Sequence, residues 1–114
     1  MTEVMPRITI EPCGTRARAT FRGKTVADSD NALVLRERGY PPRVYFPQSD
    51  VRMDLLSRTA HQTRCPYKGE AAYWSLRAGG ETVENAAWAY LDPLDDVAAI
   101  AAHLSFADTV KTET

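Results

Sequence analysis

The sequence predicts a mainly β fold, with seven or eight short antiparallel strands and one late α-helix. Three observations carry that expectation. Residues 16–22 alternate strictly between polar and apolar side chains, the period of a half-buried strand. Pro, Gly, Asn and Asp clusters interrupt the apolar runs before any of them reaches helical length. Only one segment, Asp92 to Leu104, has a helix start signal followed by an apolar stripe longer than one or two turns.

In chain order, residues 1–7 read as a loose leader and Ile8-Thr9-Ile10 as a short strand closed by Pro12 and Gly14. The alternating run then sets Arg16, Arg18, Thr20 and Arg22 on one face, with Ala17, Ala19 and Phe21 on the other. Gly23-Lys24 turns the chain and Thr25-Val26-Ala27 returns. The arginine row fits a solvated strand face. No aromatic interleaves with it, as a single-stranded nucleic-acid site would require, so no nucleic-acid partner is expected. Asp28 to Asn31 is a turn cluster. Ala32 to Leu35 is apolar and fits a buried strand or the start of a short helix. Tyr40-Pro41-Pro42 is stiff and extended, and Arg43 to Phe46 is a strand ended by Pro47.

Ser49 or Asp50 can cap one or two helical turns through Val51 and Leu55. Thr59–Arg64 and Glu70–Arg77 are the arms of a central hairpin, bracketed by Pro66 and Gly69, whose tip is expected to present Cys65, Tyr67 and Lys68. Along the second arm, Ala72, Trp74 and Leu76 share one face, and Ala71, Tyr73 and Ser75 the other. Ala78-Gly79-Gly80 is a hairpin turn. If the segment after Asn85 is a strand, Ala86, Trp88 and Tyr90 share a face. Asp92 caps the expected helix near 93–103, with Pro93 in its first turn, Asp95 and Asp96 where the dipole favours carboxylates, and Val97, Ile100, Ala101 and Leu104 as its stripe. Ser105-Phe106 is a last short strand, and residues 108–114 read as a frayed end.

The 114 residues fit one domain, 1–114. A hydrophobic content of 44% with 25% charged residues places the chain among globular proteins rather than disordered ones. No apolar run approaches the ~18 residues of a membrane span. The first residues lack the pattern of a signal peptide, so the expected location is cytoplasmic, with Cys13 and Cys65 reduced. Net charge is −1, which excludes a global pull toward polyanions. Residues 1–77 nevertheless hold 13 Lys/Arg against 8 Asp/Glu, and residues 78–114 hold 1 against 7. The two ends can neutralise each other across the fold, or leave a basic face for a small anion.

The most informative stretch is His61 to Leu76, with Cys-Pro-Tyr-Lys-Gly at its centre. Taken with Tyr45–Leu56 upstream and Glu-Asn-Ala-Ala-Trp-Ala-Tyr (Glu84–Tyr90) downstream, it resembles the domain of unknown function 427 family, also labelled a nucleotidyltransferase family. The resemblance runs roughly from Val26 to Phe106. It implies a compact fold of bent antiparallel sheets similar to the β-tent group, and group transfer by the label alone. Proteins of that group often hold zinc with paired Cys-x-x-Cys motifs. This chain has none, so no metal is expected, and no cofactor is indicated.

Cys65 and Lys68 are the candidates for chemistry. The neighbouring Arg64 and Lys68 could make a thiolate of Cys65, or Cys65 can be a small buried apolar group. His61, four residues upstream, is about 13 Å away along a straight strand, too far to serve as its base. Lys68-Gly69 reverses the order a phosphate loop needs. An aromatic set including Tyr73, Trp74 and Trp88 fits core packing or a ligand pocket whose polar groups would be Arg52, Lys68 and Asn85. The leading expectation is therefore a small domain binding an anionic or planar small molecule at Arg52, Lys68, Tyr73, Trp74, Asn85 and Trp88. A group-transfer enzyme and a protein-interaction module with a β-edge are the alternatives.

Overall fold

The computed structural model describes residues 7–114. Apart from Arg7, the expected leader lies outside the described residues. Ten strands are present among those described: β1 (Ile8–Pro12), β2 (Ala17–Phe21), β3 (Lys24–Ser29), β4 (Leu33–Glu37), β5 (Arg43–Pro47), β6 (Leu56–Cys65), β7 (Gly69–Ala78), β8 (Glu81–Ala89), β9 (His103–Phe106) and β10 (Lys111–Glu113). All pairings are antiparallel. Seven strands form one sheet in the order β1-β4-β5-β9-β8-β7-β6, and three form a second in the order β10-β2-β3. The fold is thus mainly β, with no closed barrel.

Alternation decides the faces. β2 buries Ala17, Ala19 and Phe21 and leaves Arg18 in solvent, where it joins Arg16 in pairing with Asp28. Arg16 and Arg18 are thus neutralised by the hairpin partner, and Arg22 pairs with Glu81 of β8. β7 buries Ala72, Trp74 and Leu76 in the main core, with Phe46, Leu104 and Phe106. Its other face sends Ala71 and Tyr73 to a smaller cluster around Leu35, Tyr45, Tyr90, Val97 and Ile100. Full burial of a Leu or Phe stabilises by about 1.5–3 kcal/mol, so the main core, where Phe46, Leu76 and Leu104 are fully buried, holds the sheets together. β7 and β8 meet through Gly79-Gly80, at φ 60° and 79°. That is the positive-φ pair a two-residue hairpin demands.

Three expectations need correction. The late helix is a 3-10 helix, Asp95–Ile100, interrupted at Val97 (φ −124°, ψ 24°), rather than an α-helix over 93–103. Its two buried residues, Val97 and Ile100, are three apart, which suits three residues per turn. Asp92 does not cap it. The Leu94 N–H donates to the Lys68 carbonyl (3.0 Å), which draws Asp92-Pro93 over the β6–β7 turn. There Gly69, at φ 112°, leaves room that a Cβ would take, 3.5 Å from the Asp92 carbonyl. The helix near Ser49 is two 3-10 turns, Gln48–Asp50 and Met53–Leu55, and the Asp50 carboxylate accepts from the Ser29 hydroxyl (2.5 Å) instead of capping. The C-terminal end is not frayed throughout. Val110 is buried and leads into β10, which pairs with β2 from Lys111↔Thr20 to Glu113↔Arg18.

Strand β7 carries an irregularity on each side. Between Arg58↔Trp74 and Gln62↔Ala72, three residues of β6 face the single residue Tyr73. Between Trp74↔Ala87 and Leu76↔Val83, three residues of β8 face Ser75. Such bulges re-aim side chains and are common beside functional sites. Here Ala86 leaves the face of Trp88 and Tyr90 and joins the main core. Among the described residues no helix is long and apolar enough to cross a membrane.

Candidate functional site

A cleft of about 410 Å³ opens where β4, β5, β7 and β8 meet the β6–β7 turn. Its apolar wall is aromatic: Tyr45 from β5, Tyr73 from β7, Trp88 from β8 and Tyr90 just beyond it, with Tyr40-Pro41 also lining it. Tyr40 is well exposed, whereas Tyr45 is fully buried. Its polar groups are Glu37, Arg43, Cys65, Lys68 and Asn85. The size lies within the ~300–1,000 Å³ of small-molecule sites.

The rings are held in place. Trp88 Nε1 donates to Tyr45 Oη (3.3 Å), giving the indole N–H the partner it needs. The Tyr73 and Trp88 centroids are 6.5 Å apart. Tyr73 is braced from behind by a hydrogen bond between its hydroxyl and Thr63 Oγ1 (2.9 Å) and by the edge of His61 at 4.5 Å. The β6 bulge thus gives His61 to Tyr73 rather than to Cys65. The Arg43 guanidinium lies 5.2 Å above Trp88 and also pairs with Asp108 (3.2 Å).

Lys68 is not presented by the hairpin tip. Tyr67 points outward under Arg7, while Lys68 turns inward and donates to Glu37 Oε1 at 2.7 Å. The two side chains are only 11% and 10% exposed. Arg7 approaches the other Glu37 oxygen at 3.6 Å. Burial works against the Lys68 charge, but the Glu37 hydrogen bond and charge outweigh it, so its pKa is raised above the ordinary 10.5. Burial likewise raises Tyr45 and, more strongly, Tyr90 above the ordinary 10.0. All three keep their protons at neutral pH.

Asn85 sits at φ 52° in the β8 bulge. Its N–H donates to Ser75 Oγ (3.1 Å) and its Oδ1 accepts from Thr59 Oγ1 (2.7 Å). Asn tolerates this left-handed backbone better than most residues. Asn85→Ala is expected to cost about 1–2 kcal/mol, from strain and the lost bond together. Asn85→Gly, which keeps the conformation, should cost only about 1 kcal/mol. Urea unfolding of the two variants checks this, and equal costs would remove the strain argument.

Of the expected site residues, the cleft brings together Lys68, Tyr73, Asn85 and Trp88, with Cys65 beside them. Arg52 and Trp74 are elsewhere. Arg52 is tied to the small sheet, its N–H bonded to the Val26 carbonyl (2.8 Å) beside the Ala27–Val51 bridge, and its guanidinium grips Asp54 at 2.9 and 2.8 Å. It lines a separate depression with Thr25, Asp28 and Ser49. Trp74 is in the main core, since it neighbours Tyr73 on a strand and must face the other way. Glu37 and Arg43 were not among the expected cleft residues, and Tyr45 and Tyr90 were counted in the aromatic set but not among the ligand-binding candidates. Tyr90, two residues after Trp88, was within reach of the alternation argument; Glu37, set between two arginines, looked like a strand exit.

Against known families, the profile described as "Domain of unknown function (DUF427)" matches residues 9–114. The chain belongs to the DUF427 family. The match extends past the β4–β8 region at both ends, so in DUF427 terms β1 and β10 are part of the domain. No curated protein matches the chain. Cys65 and Lys68 of the Cys-Pro-Tyr-Lys-Gly segment and Asn85 and Trp88 of the Asn-Ala-Ala-Trp segment line this cleft together.

Proposed function

We propose that this DUF427 domain binds a small planar ligand in the cleft, in the cytoplasm. One observation carries the reading: the rings of Tyr45, Tyr73, Trp88 and Tyr90 converge on one cavity together with several fixed polar side chains. Aromatic walls with a few oriented polar groups are the usual make-up of a small-molecule site. The unpaired Cys13 and Cys65 accord with a reducing compartment. The test is a screen of planar aromatic fragments at millimolar concentration, followed on the indole N–H resonances of the folded protein. Fragments are expected to shift Trp88 and to lose affinity about tenfold or more in Trp88→Ala, the scale of a buried aromatic contact. Fragments that bind Trp88→Ala as well as the wild type would overturn the reading.

Group transfer has one supporting observation, Cys65 on the cleft wall. Lys68 does not support it, because an ammonium held by Glu37 is a poor nucleophile. Iodoacetamide modification of Cys65 well below the ordinary thiol pKa of about 8.5 would favour transfer. An ordinary profile, the expected result, favours binding alone.

A further inference from the structure

Two tyrosine hydroxyls in the cleft donate to no described residue. Tyr90 is 7% exposed and lines the cavity, and its hydroxyl makes no hydrogen bond with any described residue. Tyr45 is 1% exposed, and its oxygen is used as an acceptor by Trp88. An indole nitrogen cannot accept in return, and no other described group takes the Tyr45 proton. Both side chains line the cleft, so their protons are available to an acceptor on a bound ligand. Lys68 adds to them, because only one of its three N–H groups is taken by Glu37. The acceptors nearby are already engaged: Glu37 by Lys68 and Arg7, and Asn85 Oδ1 by Thr59.

Charge decides the sign of the ligand. Lys68, Arg43 and Glu37 line the cleft, an excess of one positive charge among the lining residues, with Arg43 also paired to Asp108 outside them. A monoanion offers what the donors lack, several lone pairs on one charge. A dianion would exceed that excess, which Asp108 already draws on through Arg43.

We propose that the polar end of the cleft, formed by Tyr45, Lys68 and Tyr90, receives the carboxylate of a ring-bearing acid whose ring lies against Trp88 and Tyr73. This rests on the cleft being a site for planar ligands and adds the headgroup that the site recognises. The raised pKa values of both tyrosines agree with it, because both remain donors over the physiological range.

Three probes with one ring system test it: 2-naphthoate, 2-naphthamide and 2-naphthyl phosphate, titrated into the intact protein while the Trp88 indole resonance is followed. The acid is expected to bind about tenfold or more tighter than the amide, the scale of a charge-assisted hydrogen bond. In Tyr90→Phe, which keeps the ring and removes only the donor, the acid-to-amide preference should shrink severalfold. Its dispersion of resonances is expected to match the wild type and so report an intact fold. Equal binding of acid and amide, an unchanged preference in Tyr90→Phe, or tighter binding of the phosphate would each overturn the carboxylate assignment while leaving the cleft a site for planar ligands. Failure of all three probes to move the Trp88 resonance would remove that broader reading as well.

Discussion

Glu37→Ala is expected to lower the unfolding free energy by about 3 kcal/mol, the lower end of the cost of breaking a buried ion pair by removing one partner. The reason is asymmetric. Without Glu37, the Lys68 ammonium stays nine-tenths buried with no carboxylate within reach. It must then remain charged at high cost or give up its proton. Lys68→Met is the milder change, about 1–2 kcal/mol, because Arg7 still stands 3.6 Å from Glu37. The double variant Glu37→Leu with Lys68→Met should return to within about 1 kcal/mol of the wild type, since a buried pair replaced by apolar groups of similar size is often neutral. Urea midpoints for the four proteins give the answer. A Glu37→Ala cost below about 1 kcal/mol, or a double variant worse than either single one, would mean that the pair is solvated in solution. Against a usual stability of about 5–15 kcal/mol, the expected loss is large for a position that contributes little apolar area.

Alkaline pH should destabilise the protein steeply. Lys68, Tyr45 and Tyr90 all bind their protons more tightly in the folded chain than the ordinary 10.5 and 10.0 imply. Groups with raised pKa contribute fully below the unfolded value and lose that contribution as pH rises through the folded one. The loss therefore begins near pH 10 and deepens above it, at up to about 1.4 kcal/mol per pH unit for each group. At neutral pH none of the three contributes a slope. Tyr90→Phe removes one titrating group, so its stability should fall less steeply between pH 10 and 11.5. Chemical unfolding of both proteins at several alkaline pH values measures this, and parallel slopes would show that the Tyr90 hydroxyl reaches bulk water in the folded state.

Much of the fold was legible because a half-buried strand writes its burial into every second residue. The Ala17-Ala19-Phe21 and Ala72-Trp74-Leu76 series are read correctly from that period alone. β10 was illegible for the converse reason: Lys-Thr-Glu is polar throughout and exposed, and it is a strand only because β2 offers an edge beside the buried Val110. The helix type was hidden as well, since two buried residues three apart satisfy either helical period. Lys68, Tyr73, Asn85 and Trp88, expected together on chemistry and position, line one cleft. Proposing Tyr73 and Trp74 together conflicted with the strand alternation already recognised for β7, and only one of them could share a cavity with Trp88. Arg52 lies outside this cleft because its neighbours in space, Val26 and Ala27, are contributed by a sheet whose contact with that segment no local pattern records.

The paired bulges beside β7 bear on how the ladder selects its alignment. Each accommodates three residues opposite one, so each displaces the pairing by two positions, an even number. An even slip returns every side chain to its original face, and hydrophobic patterning, which penalises a slip of one, does not distinguish the two alignments. Slipped by two on β8, Trp88 would sit about 7 Å along the strand from Tyr73, with the cores still closed. Choosing between the alignments falls to polar contacts at the bulges: Thr59 with Asn85, and Ser75 with the Asn85 N–H. Thr59, Ser75 and Asn85 therefore act as alignment keys, and a chain that lost them would keep its buried faces while taking the cleft apart.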